Sequence, residues 1–234
     1  MAKKIKKLDI VTNKSVFTPT GTSNLLIEAS KKEIKSKGKI LDLGCGSGII
    51  GISLYKRNST KKKIFFSDIS LKACQNVKQN CKKLNVNHEV RHGSILKPWK
   101  NFKFDYIISD VAAIADEIAK ISPWYKNCIN NAGIDGSKNA VAFINSANKH
   151  LNKKGKIIFP IISLSNEKKI ISSLKKKFKK FKKIKSQVWP LPKMMYKKVK
   201  ILEKLKKKRI IFYDNKFGIL TFKTDIYCAI KNNE

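Results

Sequence analysis

Residues 40–54 read ILDLGCGSGIIGISL, an apolar run that holds one acid, Asp42, and passes through Gly44-Cys45-Gly46-Ser47-Gly48 into a second apolar stretch. This is the pattern of a buried β-strand, a glycine turn and a helix. Glycine lets the backbone take positive φ and approach a bound group closely, while the first turn of a helix presents N–H groups with partial positive charge. A dinucleotide fingerprint needs a further glycine at position 49, and that residue is Ile49, so the nicotinamide-dinucleotide reading fails on spacing. The plain alternative is a tight strand-to-helix turn that holds no ligand.

Outward from this stretch, β-rich apolar runs alternate with longer helical patterns, which predicts βαβ units and a parallel sheet. KILDL (39–43) is a first strand, followed by a helix over about 47–57. KKIFFSD (62–68) is a second strand, with a helix over 70–84 capped by Ser70. HEVRHG is a third strand and FDYIISD (104–110) a fourth. A helix over 138–151, a strand GKIIFPI (155–161) and a helix over 166–180 follow. KKIKSQVWPLP then precedes a Lys-rich helix to about Lys208, and IIFYD, FGILTFK and DIYCAIK read as antiparallel strands, with turns at Asp214-Asn215 and near Thr224. Ahead of the first strand, 1–38 is a basic segment, then VFTPTGTS, then a helix over about 23–35.

The 234 residues include 52 Lys or Arg against 16 Asp or Glu, a net charge of +36, and 42% are apolar. That apolar fraction supports one substantial core and excludes an intrinsically disordered chain. The longest nearly apolar run, 157–164, is far below the roughly 20 residues of a membrane span. The start, MAKKIKKLDIVTNK, is positive but has no apolar stretch after it, so a cytosolic protein is expected. Five cysteines without a C-x-x-C pair, and three histidines without a ligand cluster, predict reduced thiols and no metal site.

Of the basic residues, all but Arg57, Arg91 and Arg209 are Lys, and 175–209 holds 17 basic residues against one acid, Glu203. Two readings stay open: a solvated Lys surface set by an AT-rich codon supply, and a face for a polyanion. Within it Phe178, Phe181 and Ile184 recur at spacing three, as an apolar helical stripe or a helix running into a strand. They read as core more readily than as base-stacking platforms. Trp189-Pro190-Leu191-Pro192 reads as a stiff connection.

Two further acids fall at the ends of predicted strands. Asp68, at the carboxyl end of the second, can accept ribose hydroxyls, as acids at this place do in nucleotide-binding sheets; a helix N-terminal acid favoured by the dipole is the alternative. Asp110 ends the fourth, in FDYIISDVAAI, where an oxygen could orient a target amine. After the third strand comes Gly93-Ser94-Ile95. Trp124 and Tyr125, in SPWYKN, are either a loop anchor or an aromatic wall.

Taken in order, ILDLGCGSG, Asp68, FDYIISD, the leading VFTPTGTSNLLIEA and the trailing NAGIDGSKNAVAFINSANKHLNKKGKIIF resemble class I S-adenosylmethionine-dependent methyltransferases, and among them the "methyltransferase small domain" or HemK/PrmC-like group. The resemblance covers about 16–162. That group follows its Asn or Asp with Pro-Pro and an aromatic; here Val111, Ala112 and Ala113 stand in those places. The resemblance implies a doubly wound, mostly parallel seven-stranded α/β sheet with antiparallel C-terminal strands, a methyltransferase domain over 39–234, and a leading helix packed on the cofactor site. It implies S-adenosyl-L-methionine held by Thr22, Asp42, Gly44, Cys45, Gly46, Gly48, Asp68, Ile69, Ser94 and Asp110. Asp110 would orient or deprotonate the nucleophile, with Trp124 or Tyr125 shaping the pocket. The implied acceptor is a nitrogen of a macromolecule, protein or RNA, met through the Lys-rich 175–209 face. A small-molecule acceptor, and a basic RNA-binding module with a vestigial cofactor site, are the alternatives.

Overall fold

In the computed structural model, which describes residues 8–35, 38–57, 63–111, 114–126, 128 and 130–232, helices flank both faces of one twisted sheet. The opening basic run through Lys7, and Ala112 and Ala113 after the fourth strand, lie outside the described residues. The elements are α1 (Gly21–Glu33), β1 (Ile40–Leu43), α2 (Ile49–Arg57), β2 (Ile64–Asp68), α3 (Leu71–Lys83), β3 (His88–His92), β4 (Phe104–Ser109), α4 (Asp116–Ile121), α5 (Lys138–Ala147), β5 (Leu151–Ile162), α6 (Glu167–Lys177), β6 (Lys180–Pro190), α7 (Lys193–Tyr196), α8 (Val199–Lys207), β7 (Asp214–Lys216) and β8 (Ile219–Ile230). Strand order is β3-β2-β1-β4-β5-β8-β6, with the short β7 paired to β8. The first five pair in parallel, and β8 runs antiparallel to β5, β6 and β7. The expected doubly wound sheet with antiparallel C-terminal strands is the observed architecture.

Side chains alternate across the sheet, so each strand feeds two cores. Ile40 and Phe66 pack beneath α1–α3, whereas Leu41, Leu43 and Phe65 pack beneath α5 and α6. The reversal of strand order between β1 and β4 opens a crevice at the carboxyl edge, where ligands bind in such sheets. No described helix is long and apolar enough to cross a membrane, and the five cysteines are free thiols.

The later elements depart from the sequence-based expectation. Phe178 ends α6, and the Lys-rich run beyond it is strand β6 rather than helix, so the spacing of three marks a helix running into a strand. Phe178 is buried in the core beneath α6. The expected 138–151 helix stops at Ala147, and Leu151 starts β5, whose bulge at Lys154 (φ 62°) restores pairing with β4. The hairpin turns at Phe217-Gly218, both at positive φ, and not at Asp214-Asn215: two left-handed positions suit the twist of a two-residue hairpin. No turn occurs near Thr224. Thr224 is fully buried mid-strand, and Asp225 beside it is satisfied by Ser186 Oγ at 2.5 Å and Lys223 Nζ at 3.0 Å.

Candidate active site at the carboxyl edge of the sheet

Gly44, Gly46 and Gly48 all take positive φ, at 71°, 51° and 82°, and carry the chain from the end of β1 into α2. A cavity of about 1160 Å³ opens above them, walled by the glycine loop, the ends of β2 and β4, the start of α1 and the 189–192 segment. Of the residues expected to bind a cofactor, Thr22, Gly44, Cys45, Gly46, Asp68, Ile69, Ser94 and Asp110 line it, as do Trp124 and Tyr125.

Two expected residues do not reach the wall. Asp42 is fully buried; on a strand it shares the face of Ile40, so it points at α2, where Oδ2 accepts the Gly51 N–H at 2.8 Å. Its Oδ1 has no partner, and burial holds its pKa well above the ordinary range, with Asp110 and Asp68 adding to the rise. Asp42 thus pins α2 to β1 beneath the loop. Gly48 serves packing: a Cβ there would lie 2.4 Å from Val77 Cγ2 on α3.

Asp68 sits at the mouth with both oxygens engaged. Oδ2 accepts the Gly46 N–H at 3.0 Å and Oδ1 the Ser70 N–H at 2.8 Å, which leaves a lone pair on each oxygen for a ligand's hydroxyls. Burial raises its pKa, against the lowering by these backbone donors. Asp68 thus braces the loop and the start of α3 through these backbone bonds, and it also lines the cavity. Ile69 beside it is 64% exposed, an apolar surface presented to the same space. The Cys45 thiol is pushed well above its ordinary pKa by burial and by Asp68 and Asp42, so it is a packed wall atom and not a nucleophile.

Asp110 accepts the Ser23 hydroxyl at Oδ2, 2.8 Å away, and burial raises its pKa to about 6. Sequence reasoning missed Ser23 and Thr224, and with them the partners of Trp189. The outer edge of the Trp189 benzo ring packs on Gly21, where a Cβ would come within 2.7 Å of it, and its Nε1 donates to Thr224 Oγ1 at 3.2 Å. Thr224 Oγ1 is in turn 3.4 Å from Thr22 Oγ1. Trp189-Pro190-Leu191-Pro192, which reads first as a stiff connection and second as a border of the cleft, is a wall of the cavity. The glycine that admits the indole, Gly21, was the available signal, at a distance of 168 positions in sequence. Tyr125 packs against Phe17 with ring centroids 5.2 Å apart and Trp124 against Phe222 at 5.4 Å, so both are anchored and both face the cavity.

The "methyltransferase small domain" family model matches residues 7–111. A putative protein N5-glutamine methyltransferase of Methanocaldococcus jannaschii is 30% identical over 172 residues, covering 73% of this chain and 84% of the relative. The chain belongs to the methyltransferase small-domain family. This small-domain protein is also 35% identical over 164 residues to the release factor glutamine methyltransferase of Borreliella burgdorferi, covering 67% of the chain and 56% of the relative. To a ribosomal RNA small subunit methyltransferase C of Haemophilus influenzae it is 33% identical over 158 residues, covering 65% and 41%. The chain thus spans about half the length of these two curated relatives. A T. thermophilus 16S rRNA N2 methyltransferase solved with AdoMet and guanosine shares the fold, with TM-score 0.58 and 15% identity over 92% of this chain and 44% of that one.

The residues present fit S-adenosylmethionine. A glycine loop, a carboxylate with two open lone pairs and an apolar ledge at Ile69 converge on one space, and the Ser47 hydroxyl at its floor is buried without a protein partner.

Proposed function

We propose that this small-domain protein is a cytosolic S-adenosylmethionine-dependent methyltransferase that modifies a nitrogen of a macromolecule, protein or RNA. The observation that carries this reading is the placement of Asp68 and Asp110 at the ends of the two strands flanking β1, facing one cavity over the glycine loop. Asp68 would take the ribose hydroxyls, with Gly44, Cys45, Gly46, Ile69, Ser94 and Thr22 forming the surrounding wall. When bound, the cofactor supplies an electrophilic sulfonium methyl, and the protein's work is orientation, desolvation and proton handling.

Asp110 performs the last of these. Its carboxylate would accept an N–H of the acceptor, aim the nitrogen lone pair at the methyl and take up the proton released on transfer. A pKa near 6 suits a group that is ionised before the reaction and basic enough to receive a proton near neutrality. Val111 follows Asp110 where the family carries its prolines and aromatic, and the aromatic surface would instead come from Trp124, Tyr125 and Trp189. A macromolecular acceptor is favoured by relatives that act on protein glutamine or ribosomal RNA, and by the basic 175–209 surface.

The test is transfer of labelled methyl into a fractionated extract, followed by ribonuclease or protease. Label lost to either treatment supports the reading and selects the acceptor class; label confined to small metabolites selects the small-molecule alternative.

A further inference from the structure

Between the last two strands of the main sheet path, β6 and β8, the chain inserts residues 191–218, which lie beyond the matched family region. This segment is fastened to the acceptor side of the cavity. Leu191 and Pro192 line the cavity itself, Leu202 and Leu205 of α8 bury against Ile118 and Ala119 of α4, and Lys204 Nζ lies 3.3 Å from Glu117 of the same helix. The Tyr196 hydroxyl accepts the Leu220 N–H at 2.9 Å, which ties α7 to the hairpin.

Its outer surface has an unusual composition. All ten basic residues of the segment are exposed, and only Lys204 and Lys216 have carboxylate partners among the described residues. Lys200 and Lys204 of α8 and Lys208 at its C-cap follow one another at intervals of four, a like-charge row that disfavours the helix carrying it and of which only Lys204 has a carboxylate partner among the described residues. At the end of the segment stands Phe217, fully exposed at 104%, with φ 51° in the first left-handed position of the hairpin turn. A bulky residue is disfavoured there, where Asn or Gly is usual, and its ring touches no core. Phe212, 56% exposed, lies beneath the Lys206 ammonium at 5.3 Å. Lys206 also donates to the Tyr213 carbonyl at 2.9 Å. Exposed aromatic rings among ammonium groups that mostly lack carboxylate partners are what a single-stranded nucleic acid needs: π surfaces for splayed bases and cations along the phosphates.

We propose that the 191–218 segment is a docking surface for single-stranded RNA, with the exposed lysines of 197–208 tracking phosphates and Phe217 stacking a base. Its role in presenting an acceptor rests on the methyltransferase reading; its binding of RNA does not. Lysine meets phosphate as a point charge and reads no base edge, so the surface grips backbone and unpaired bases irrespective of sequence.

The test is fluorescence anisotropy of the full chain with an end-labelled, mixed-sequence single-stranded RNA of about 20 nucleotides, over a salt series and without cofactor. Replacing Lys197, Lys200, Lys207 and Lys208 by Gln should weaken binding more than about tenfold and flatten the salt dependence by about 0.7 for each phosphate no longer neutralised. Phe217→Asn, which suits the turn and keeps the fold, should weaken binding about fivefold or more with the salt slope unchanged. Replacing Lys78, Lys82, Lys149 and Lys153, exposed elsewhere, by Gln removes the same charge and should leave affinity within about twofold. Equal losses from both Lys sets, unaltered binding by Phe217→Asn, or no RNA binding by the parent protein would each overturn the proposal. Calorimetry of S-adenosylmethionine binding to the same proteins separates the two readings: absent cofactor binding defeats the methyltransferase reading alone, and retained cofactor binding without RNA binding defeats this one alone.

Discussion

The Ser23 hydroxyl donates to Asp110 Oδ2 at 2.8 Å, joining the first turn of α1 to the end of β4 across 87 positions of sequence. Ser23 Oγ also receives the Thr20 N–H at 3.4 Å, so its proton is directed at the carboxylate. Burial raises the Asp110 pKa to about 6 and this hydrogen bond holds it down.

If Asp110 must be ionised to act, the rate of methyl transfer at limiting acceptor should rise through about pH 6. Ser23→Ala removes the interaction that lowers the pKa, so the rising limb should move to higher pH while the plateau above it is largely retained. A limb that stays in place would show that another group titrates there.

The same group shapes stability. Its folded pKa of about 6 exceeds the ordinary 3.8, so its proton is bound more tightly in the folded chain. The contribution is fully present below 3.8 and is lost as pH rises through 6, which leaves the wild type destabilised near neutrality by about 1–3 kcal/mol. Asp110→Asn should therefore be inactive yet more stable than wild type at pH 8 in urea unfolding, with the gap closing by pH 4. A pH-independent difference would contradict this assignment.

The glycine loop separates packing from binding. Gly48→Ala places a Cβ 2.4 Å from Val77 Cγ2 at φ 82° and should lower stability by about 2–4 kcal/mol through strain and overpacking together. Gly46→Ala meets nothing closer than 3.8 Å at φ 51° and should cost about 1–2 kcal/mol of backbone strain. Thermal melts of the two variants compare them directly; an equal loss would refute the division.

Trp189→Ala removes an aromatic wall without touching Asp68 or the glycine loop. It should leave S-adenosylmethionine affinity within about twofold, since the ribose and loop interactions are intact, and lower methyl transfer about tenfold or more, the scale of one stacking interaction. A variant that loses cofactor binding instead would place Trp189 at the cofactor end.

Period-two and period-3.6 patterns make most elements from β1 to α6 legible in the sequence, because they bury an apolar face on one sheet, whereas the short α4 goes unread. The same alternation places Asp42 with Ile40 on the α2 side, away from the cavity, although the acid's position beside the glycine loop suggests a ligand. Beyond Lys177 the helix α8 and the strand β8 are legible, but β6 and the turn positions are not, for local reasons. A Lys-rich edge strand resembles a solvated helix in composition, and lysine at an edge discourages further pairing. Thr224-Asp225 resembles a turn, yet burial of Thr224 and the ion pairs of Asp225 carry the strand straight through. The site is legible where one loop carries it, at Gly44 to Gly48 and at Asp68. It is illegible where distant segments meet, as Trp189 does with Gly21 and Thr224.

Isothermal titration of S-adenosylmethionine into the wild-type chain and into Asp68→Ala tests the central claim most directly. The account predicts saturable one-site binding to the wild type and at least a tenfold weaker affinity for Asp68→Ala, because the alanine leaves ribose hydroxyls without an acceptor. No binding to the wild type, or equal affinity for both proteins, would contradict it.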